Sequence, residues 1–217
     1  MVEYGKTARD VAPAVVVVDR QFTVSRAVNF TVTSTRSLLS PSDHYKATDI
    51  NGDVVLKVKG FCFSSRCLLL DAADTPLLTI KPKAFTCHET WRVFRGESTS
   101  PNDLLFSVRK SKIFQWNDNF DVVLANNTNP SAPCDFKMSG RCKNGTICIG
   151  KSDEIIAQMH RKTACFARDK REVTVNPNVD YVFILSLIIV LEEIRARRRR
   201  SNAAAAGAVS GAIALII

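Results

Sequence analysis

An uninterrupted apolar run near the C-terminal end constrains the fold of this chain more than any other feature. Between Tyr181 and Leu191 lie 11 residues whose only side-chain polar groups are one tyrosine and one serine hydroxyl. As a helix this run is about 16 Å long, roughly half of a bilayer's hydrocarbon core. Glu192 and Glu193 follow at once, and carboxylates are costly in hydrocarbon. We therefore predict a buried helix over residues 180–194 rather than a membrane span.

A helix that is apolar on every side must be surrounded on every side. A closed sheet can do this, and closure also removes the unpaired edges of the sheet. Asp180 is placed to cap the first turn, because the Asn-Pro-Asn sequence at 176–178 excludes a helix before it. The pattern permits a barrel around a central helix without selecting it.

Before residue 176 the apolar pattern has a period of two, which is typical of half-buried strands. In "DVVLKVKG", for example, Val54, Leu56 and Val58 share one face and the two lysines take the other. The Asn51-Gly52 pair before this segment favours a type I′ hairpin turn. Similar runs recur in "RCLLLDAADTPLLTIK", "TWRVFRGESTSPNDLLFSVRK", "FDVVLA", "GTICIG", "EIIAQMHRK" and "REVTVNP". About ten short strands joined by hairpins predict a mainly β, antiparallel sandwich or barrel.

The composition is that of a globular protein, with 46% hydrophobic and 24% charged residues in 217, and one domain is the simpler interpretation. More than half of the net charge of +9 comes from five arginines between residues 195 and 200. The rest of the chain is therefore only modestly basic. No aromatic pattern indicates base stacking, so we do not expect direct binding of nucleic acid.

Cysteine usage and the N-terminal sequence predict a cytosolic protein. The seven cysteines form no C-x-x-C pair, and the N-terminal sequence lacks the apolar region of a signal peptide. The glycosylation motifs at Asn29, Asn126 and Asn144 are then chance matches, since glycosylation requires secretory entry. We expect a cytoplasmic monomer, with peripheral plasma-membrane or nuclear placement left open.

No motif indicates catalysis, a cofactor or a metal. His44, His88 and His160 are not at metal-ligand spacing, and we favour core packing over a distant site built from Cys87 and His88. The chain has no G-x-S-x-G elbow, phosphate loop or dinucleotide fingerprint. We therefore expect no enzymatic activity and assign no catalytic, cofactor or metal residue, although a triad of distant residues stays open.

Two basic clusters could meet lipid phosphates. They consist of Arg109, Lys110 and Lys112, and of His160, Arg161 and Lys162. Each basic group near an anionic leaflet contributes on the order of 1 kcal/mol. We favour the simpler interpretation, the solvated outer face of strands, and leave lipid-binding residues unassigned.

We divide the chain into a flexible N-terminus (1–13), one domain (14–196) with its central helix at about 180–195, and a tail (197–217). The arginines of the tail could attract an anionic membrane or act as a nuclear import sequence. Residues 203–217 are uncharged but short and rich in alanine, so a weak anchor is an alternative. We favour a flexible tail in which the alanine run forms helix only transiently.

The order of several motifs resembles the plant LURP-one-related family over approximately residues 14–196. They are "ATDINGDVVLKVKG", "LLLDAADTPLLTIKPK", "WRVFRGESTSPNDLLFSVRKS", "CDFKMSG", "IAQMHRK" and above all "VTVNPNVDYVFILSLIIVLEEI". That family is similar to the C-terminal domain of tubby and to phospholipid scramblases. The resemblance implies a closed antiparallel barrel of 12 strands enclosing a central hydrophobic helix, with residues 180–194 as that helix.

The resemblance also implies a function without chemistry. Members of the family are cytosolic, some are linked to pathogen response, and kinship with membrane-tethered transcription regulators is proposed. We therefore expect a binding or regulatory module with an unidentified protein partner. The alternative is peripheral binding to phosphoinositides or other anionic lipids, as in tubby domains, although the lipid-binding positions of tubby have no match here. The calcium-binding segment of scramblases has no counterpart, so scramblase activity is not expected.

Overall fold

The computed structural model describes residues 13–34, 43–61, 64–84, 89–111, 119–129, 132–140, 144–162 and 170–214. Two short 3₁₀ helices lie at Arg20–Phe22 and Pro101–Asp103. The strands are β1 (Val28–Ser34), β2 (Asp43–Thr48), β3 (Val54–Phe61), β4 (Ser64–Asp71), β5 (Pro76–Pro82), β6 (Thr90–Arg95), β7 (Leu104–Lys110), β8 (Asn119–Leu124), β9 (Phe136–Gly140), β10 (Asn144–Ile149), β11 (Ile155–Lys162) and β12 (Lys170–Val175). The α-helix α1 spans Tyr181–Ala214.

The 12 strands form a closed barrel in which each strand pairs antiparallel with the next along the chain. Strand β1 closes the barrel by pairing with both β2 and β12, and Val28 lies opposite Val175 in the second of these pairs. Closure leaves no sheet edge unpaired. The predicted antiparallel barrel of 12 strands is confirmed, and the sandwich alternative is excluded.

The predicted alternation holds in β3, where Leu56 and Val58 are 2% exposed and Lys59 faces solvent.

The hairpin before β3 is also present, but its predicted turn type is wrong. Only Gly52 of the Asn51-Gly52 pair has a positive φ, of 90°, whereas a type I′ turn needs two such residues. Gly52 donates its N–H to the carbonyl of Asp49 at 3.2 Å, as in a type I turn followed by a left-handed glycine.

The apolar part of α1 lies inside the barrel. Residues 182–191 are each at most 2% exposed and share one core with the inward side chains of the strands. The ring of Phe183 packs against Phe106 on β7 and Phe136 on β9, with centroids 5.2 and 5.0 Å away. Tyr181 packs against Phe30 on β1 at 5.2 Å. Because the helix contacts strands from different sides of the barrel, it fills the interior that so many strands would otherwise leave open.

The helix is longer than predicted. We predicted a helix at about 180–195 followed by a flexible tail, but α1 continues to Ala214. Arginine and alanine are strong helix formers and no proline interrupts them, so the helix persists after it leaves the barrel. The buried part nevertheless ends at Ala196, which is 2% exposed, and Arg197 is exposed. The mobility of the tail stays a prediction.

Replacing Ile184 or Leu187 by Asp should abolish soluble folding, because either change places a charge without a partner on a helix that is surrounded by apolar side chains. We expect a loss of more than about 4 kcal/mol in the free energy of unfolding. Soluble yield and urea denaturation measure it. Ile50→Asp is the matched control, because Ile50 is 79% exposed and should tolerate the same change. Normal folding of both core variants would show that the helix is not enclosed.

Candidate functional site

The carboxylate of Asp180 joins the start of α1 to the N-terminal segment of the chain. Its Oδ1 accepts a hydrogen bond from the backbone N–H of Phe183 at 3.0 Å, which confirms the predicted N-cap. Its Oδ2 accepts from the backbone N–H groups of Val17 (3.3 Å), Val18 (2.7 Å) and Asp19 (3.2 Å). Four backbone donors thus converge on one fully buried side chain.

The segment held by Asp180 closes the end of the barrel at which the helix begins. Val15 forms a parallel bridge to Val179, and Thr23 forms an antiparallel bridge to Asp180. Burial raises the pKa of the Asp180 carboxyl above its ordinary value, while the four N–H donors oppose that rise. These contacts give Asp180 a structural role. Residues 1–12, part of the predicted flexible N-terminus, lie outside the described residues.

A buried ionic cluster lies beside the helix where it leaves the barrel. Arg171 projects inward from β12, and its Nε donates to Oε1 of Glu192 on the helix. Arg195 contacts the same oxygen at 3.2 Å and also donates to the carbonyl of Gly140 at 2.7 Å. Burial lowers the pKa of Arg171, and the carboxylate of Glu192 opposes that change. Removing Glu192 would leave Arg171 buried without the carboxylate that it contacts, which is strongly destabilising.

Sequence reasoning missed this cluster, although one pattern could have revealed it. Arg171 stands in the inward phase of "KREVTV", two residues before Val173 and four before Val175, which are 1% and 0% exposed. A charged residue in the apolar phase of a strand requires a buried partner. The identity of that partner, Glu192, follows only from the position of the helix in the barrel.

Basic side chains collect at the end of the barrel from which the helix emerges, here named the basic pole. The ends of β11 and β12 pair at this pole, where Lys162 lies opposite Lys170 in the register of the two strands. The helix is connected to the start of β6 by an ion pair between Arg198 and Glu89 at 2.8 Å. Glu89 also accepts the backbone N–H of Lys110 through its carbonyl. The exposed or half-buried basic residues that define the pole are Lys83, Lys110, Lys162, Lys170, Arg197, Arg199 and Arg200.

Acidic side chains collect at the opposite end, here named the acidic pole. The turns there carry Asp49, Asp53, Asp74, Glu97, Asp153 and Glu154. Asp74 is paired with Lys57 at 3.0 Å, and this hydrogen bond lowers the pKa of its carboxyl. These six carboxylates outnumber the exposed basic residues Arg20, Arg26, Arg95 and Lys151 at the same end, so the barrel is electrically polarised along its axis. Such a charge distribution orients a protein as it approaches an anionic surface.

The two predicted basic clusters both reach the basic pole, but some members already have partners. Arg109 lies 3.7 Å from Asp121, and Lys162 forms an ion pair with Glu172. The Nδ1 of His160 lies 3.2 Å from the Oδ1 of Asn144. Arg161 lies opposite Arg171 across β11 and β12, and Lys112 lies outside the described residues. Both clusters therefore lie at the end of the barrel from which the helix arginines emerge, with several of their members already paired.

The histidines and cysteines do not converge in the described parts of the chain. His44 lies on β2 and His160 is exposed on β11, whereas His88 and Cys87 fall in a segment that is not described. Cys67 and Cys134 are buried, and burial raises the pKa of the Cys134 thiol. Among the described residues, no group of three or more His, Cys, Asp or Glu side chains is arranged to hold a metal.

In the described part of the chain, no helix has both the length and the apolar character needed to cross a bilayer. Residues 215–217 of the alternative tail anchor fall outside it.

Comparison with known proteins identifies one family. The model of the family described as LURP-one-related matches residues 28–192. Protein LURP-one-related 15 of Arabidopsis thaliana is 36% identical over 193 residues, which cover 85% of this chain and 88% of that protein. Protein LURP-one-related 10 of the same plant is 38% identical over 169 residues, 73% of this chain and 87% of that protein. The X-ray structure of an Arabidopsis thaliana protein has a TM-score of 0.67 and 34% identity, and covers 83% of this chain and 98% of that one.

Asp180→Asn should lower the free energy of unfolding by about 1–3 kcal/mol. The substitution replaces one carboxylate oxygen by an amide NH2 group, which cannot accept a hydrogen bond. Either the Phe183 N–H or the three N–H groups of the N-terminal segment then lose their acceptor. Denaturant unfolding measures the loss. The control is Asp19→Asn, because Asp19 is an exposed cap of a short 3₁₀ helix and Asn caps equally well. Equal stability of the two variants would contradict the role assigned to Asp180.

Proposed function

Because the chain belongs to the LURP-one-related family, we propose that it is a non-enzymatic binding or regulatory module with a role in plant defence. The observation that carries this proposal is the filled interior of the barrel. A barrel that binds a small molecule or substrate internally needs an open lumen. Here the helix occupies that volume, so recognition falls to the outer face and the two poles.

The proposal includes a protein partner and a cytoplasmic location. Loops and strand ends on a rigid barrel are suited to recognition, because the scaffold fixes their positions. Kinship with tubby-like, membrane-tethered regulators is part of the same proposal, with the chain acting as a monomer that leaves its binding site when signalling changes. The long helix that projects from the basic pole adds a second element with which a partner could make contact.

Peripheral binding to an anionic membrane is the second candidate function, and the basic pole favours it. Lys162, Lys170 and the exposed arginines after Ala196 lie at the end of the barrel opposite the acidic pole. Each lysine or arginine near an anionic leaflet contributes about 1 kcal/mol. Phosphoinositides, with several phosphate charges in one headgroup, offer the densest negative surface for such a pole.

The absence of catalysis can be tested without knowing a substrate. The purified full chain is incubated with plant metabolite extract, and untargeted mass spectrometry follows the composition with time. We expect no conversion that depends on the protein. A reproducible, protein-dependent conversion that is abolished by heat denaturation would contradict the proposal.

Membrane binding should require both anionic lipid and the basic pole. We expect the full chain to float with vesicles that contain phosphatidylserine or a phosphoinositide, and not with phosphatidylcholine alone. Raising salt from 0.1 to 1 M shortens the Debye length from about 10 to 3 Å and should release the protein. Changing Arg197, Arg199 and Arg200 together to Glu should weaken binding by roughly 100-fold or more.

The matched control changes the same number of exposed basic residues at the other end of the barrel. Arg20, Arg26 and Lys151 are exposed there, and their replacement by Glu alters net charge equally. This control should retain most vesicle binding. Equal recovery with neutral and anionic vesicles, or equal loss in both triple variants, would eliminate the membrane candidate and leave the protein-binding proposal standing.

A further inference from the structure

A groove on the outer face of β8, β9 and β10 extends from Ser111, next to Lys110 of the basic pole, to Asp153 of the acidic pole, and both polar and apolar side chains line it. Its volume is about 430 Å³, within the range of small-molecule sites, roughly 300–1,000 Å³. One row of its floor holds Asn119, Ser139 and Thr146, which lie opposite one another across the three strands. The adjacent row holds Asp121 and Lys137, and Asp153 from the turn after β10 flanks them.

The polar groups of the groove are held in place by their own contacts. The hydroxyls of Ser139 and Thr146 are 3.0 Å apart. Ser111, at the end of β7, donates its hydroxyl to Oδ1 of Asp121 at 2.8 Å. Hydroxyl and carboxylate oxygens keep further lone pairs after one such contact, and the carboxamide of Asn119 both donates and accepts. The floor therefore offers closely spaced donors and acceptors at fixed positions.

The charged groups of the groove are already matched. Lys137 pairs with Asp153 at 2.8 Å, and Asp121 lies 3.7 Å from Arg109 at the rim. An ionic ligand would have to break one of these pairs or bring a charge without a counter-charge. A hydroxyl group, in contrast, can donate to a carboxylate and accept from an ammonium while both pairs remain.

We propose that this groove binds a neutral polyhydroxylated ligand, a sugar or short oligosaccharide. Three neighbouring strands span about 10 Å, so a ligand must carry several hydroxyl groups to contact both Asn119 and Thr146. Vicinal hydroxyls match the closely spaced carboxylate, hydroxyl and carboxamide groups of the floor. The residues proposed to bind the sugar are not among those that define the basic pole, so variants of the groove and variants of the pole test the two proposals separately.

An array of neutral, anionic and cationic oligosaccharides, followed by saturation-transfer NMR on the full chain, tests this assignment. We expect neutral members to bind and their phosphorylated or amino derivatives to bind at least tenfold more weakly. Ser139→Trp fills the groove and should abolish the transfer. Thr31→Trp is the matched control, since Thr31 is a half-buried residue on the outer face of β1, outside the groove.

A second variant distinguishes the loss of sugar binding from misfolding of Ser139→Trp. Asn119→Leu removes only the carboxamide and should weaken binding of a neutral sugar at least tenfold, with unchanged thermal unfolding. Binding that is equal in the Ser139, Asn119 and Thr31 variants would overturn the assignment, because the sugar would then bind elsewhere. A preference for charged members, or no binding by any neutral member, would overturn it as well.

Discussion

The fold depends on removing one uniformly apolar helix from water. Residues 182–191 offer no polar face, and each methylene group left in water would cost about 0.8 kcal/mol. A single layer of sheet can cover only one side of such a helix, whereas a closed barrel covers all of them. The helix in turn supplies a packing partner for the inward side chains of the strands. Neither part can bury its apolar surface without the other.

Within the buried segment the one polar side chain is Ser186, whose hydroxyl donates to the carbonyl of Phe183 at 2.6 Å. The charged groups therefore stand at the two ends of the segment and fix its position along the axis. At one end the carboxylate of Asp180 collects backbone donors from the helix and from the N-terminal segment. At the other, Arg171 and Arg195 compensate Glu192 as the helix leaves the sheet. With the interior filled and both ends closed, recognition is left to outward side chains. The poles and the groove lie on that outer surface.

The sequence predicted the local features of this structure better than the features that depend on register. The start of the helix and the cap at Asp180 follow from local composition, and the strand alternation follows from the period of two. Residues alone left sandwich and barrel open, and the family resemblance selected the barrel. The end of the helix was mispredicted, because the end of the apolar run and of the family-like domain was taken as the end of the helix itself. The groove joins Asn119, Ser139 and Thr146, which become neighbours only once the pairing of β8, β9 and β10 is known.

Hydrogen exchange of the helix amides tests the enclosure of the helix most directly. If the barrel surrounds it, the amides of residues 184–194 can exchange only when the whole domain unfolds. Their rates should then equal those of the slowest strand amides and follow the same dependence on denaturant. The amides of residues 200–203 belong to the same helix outside the barrel and should exchange far faster. Exchange of residues 184–194 well ahead of the strands would show that the helix leaves the barrel without global unfolding, and would contradict this account.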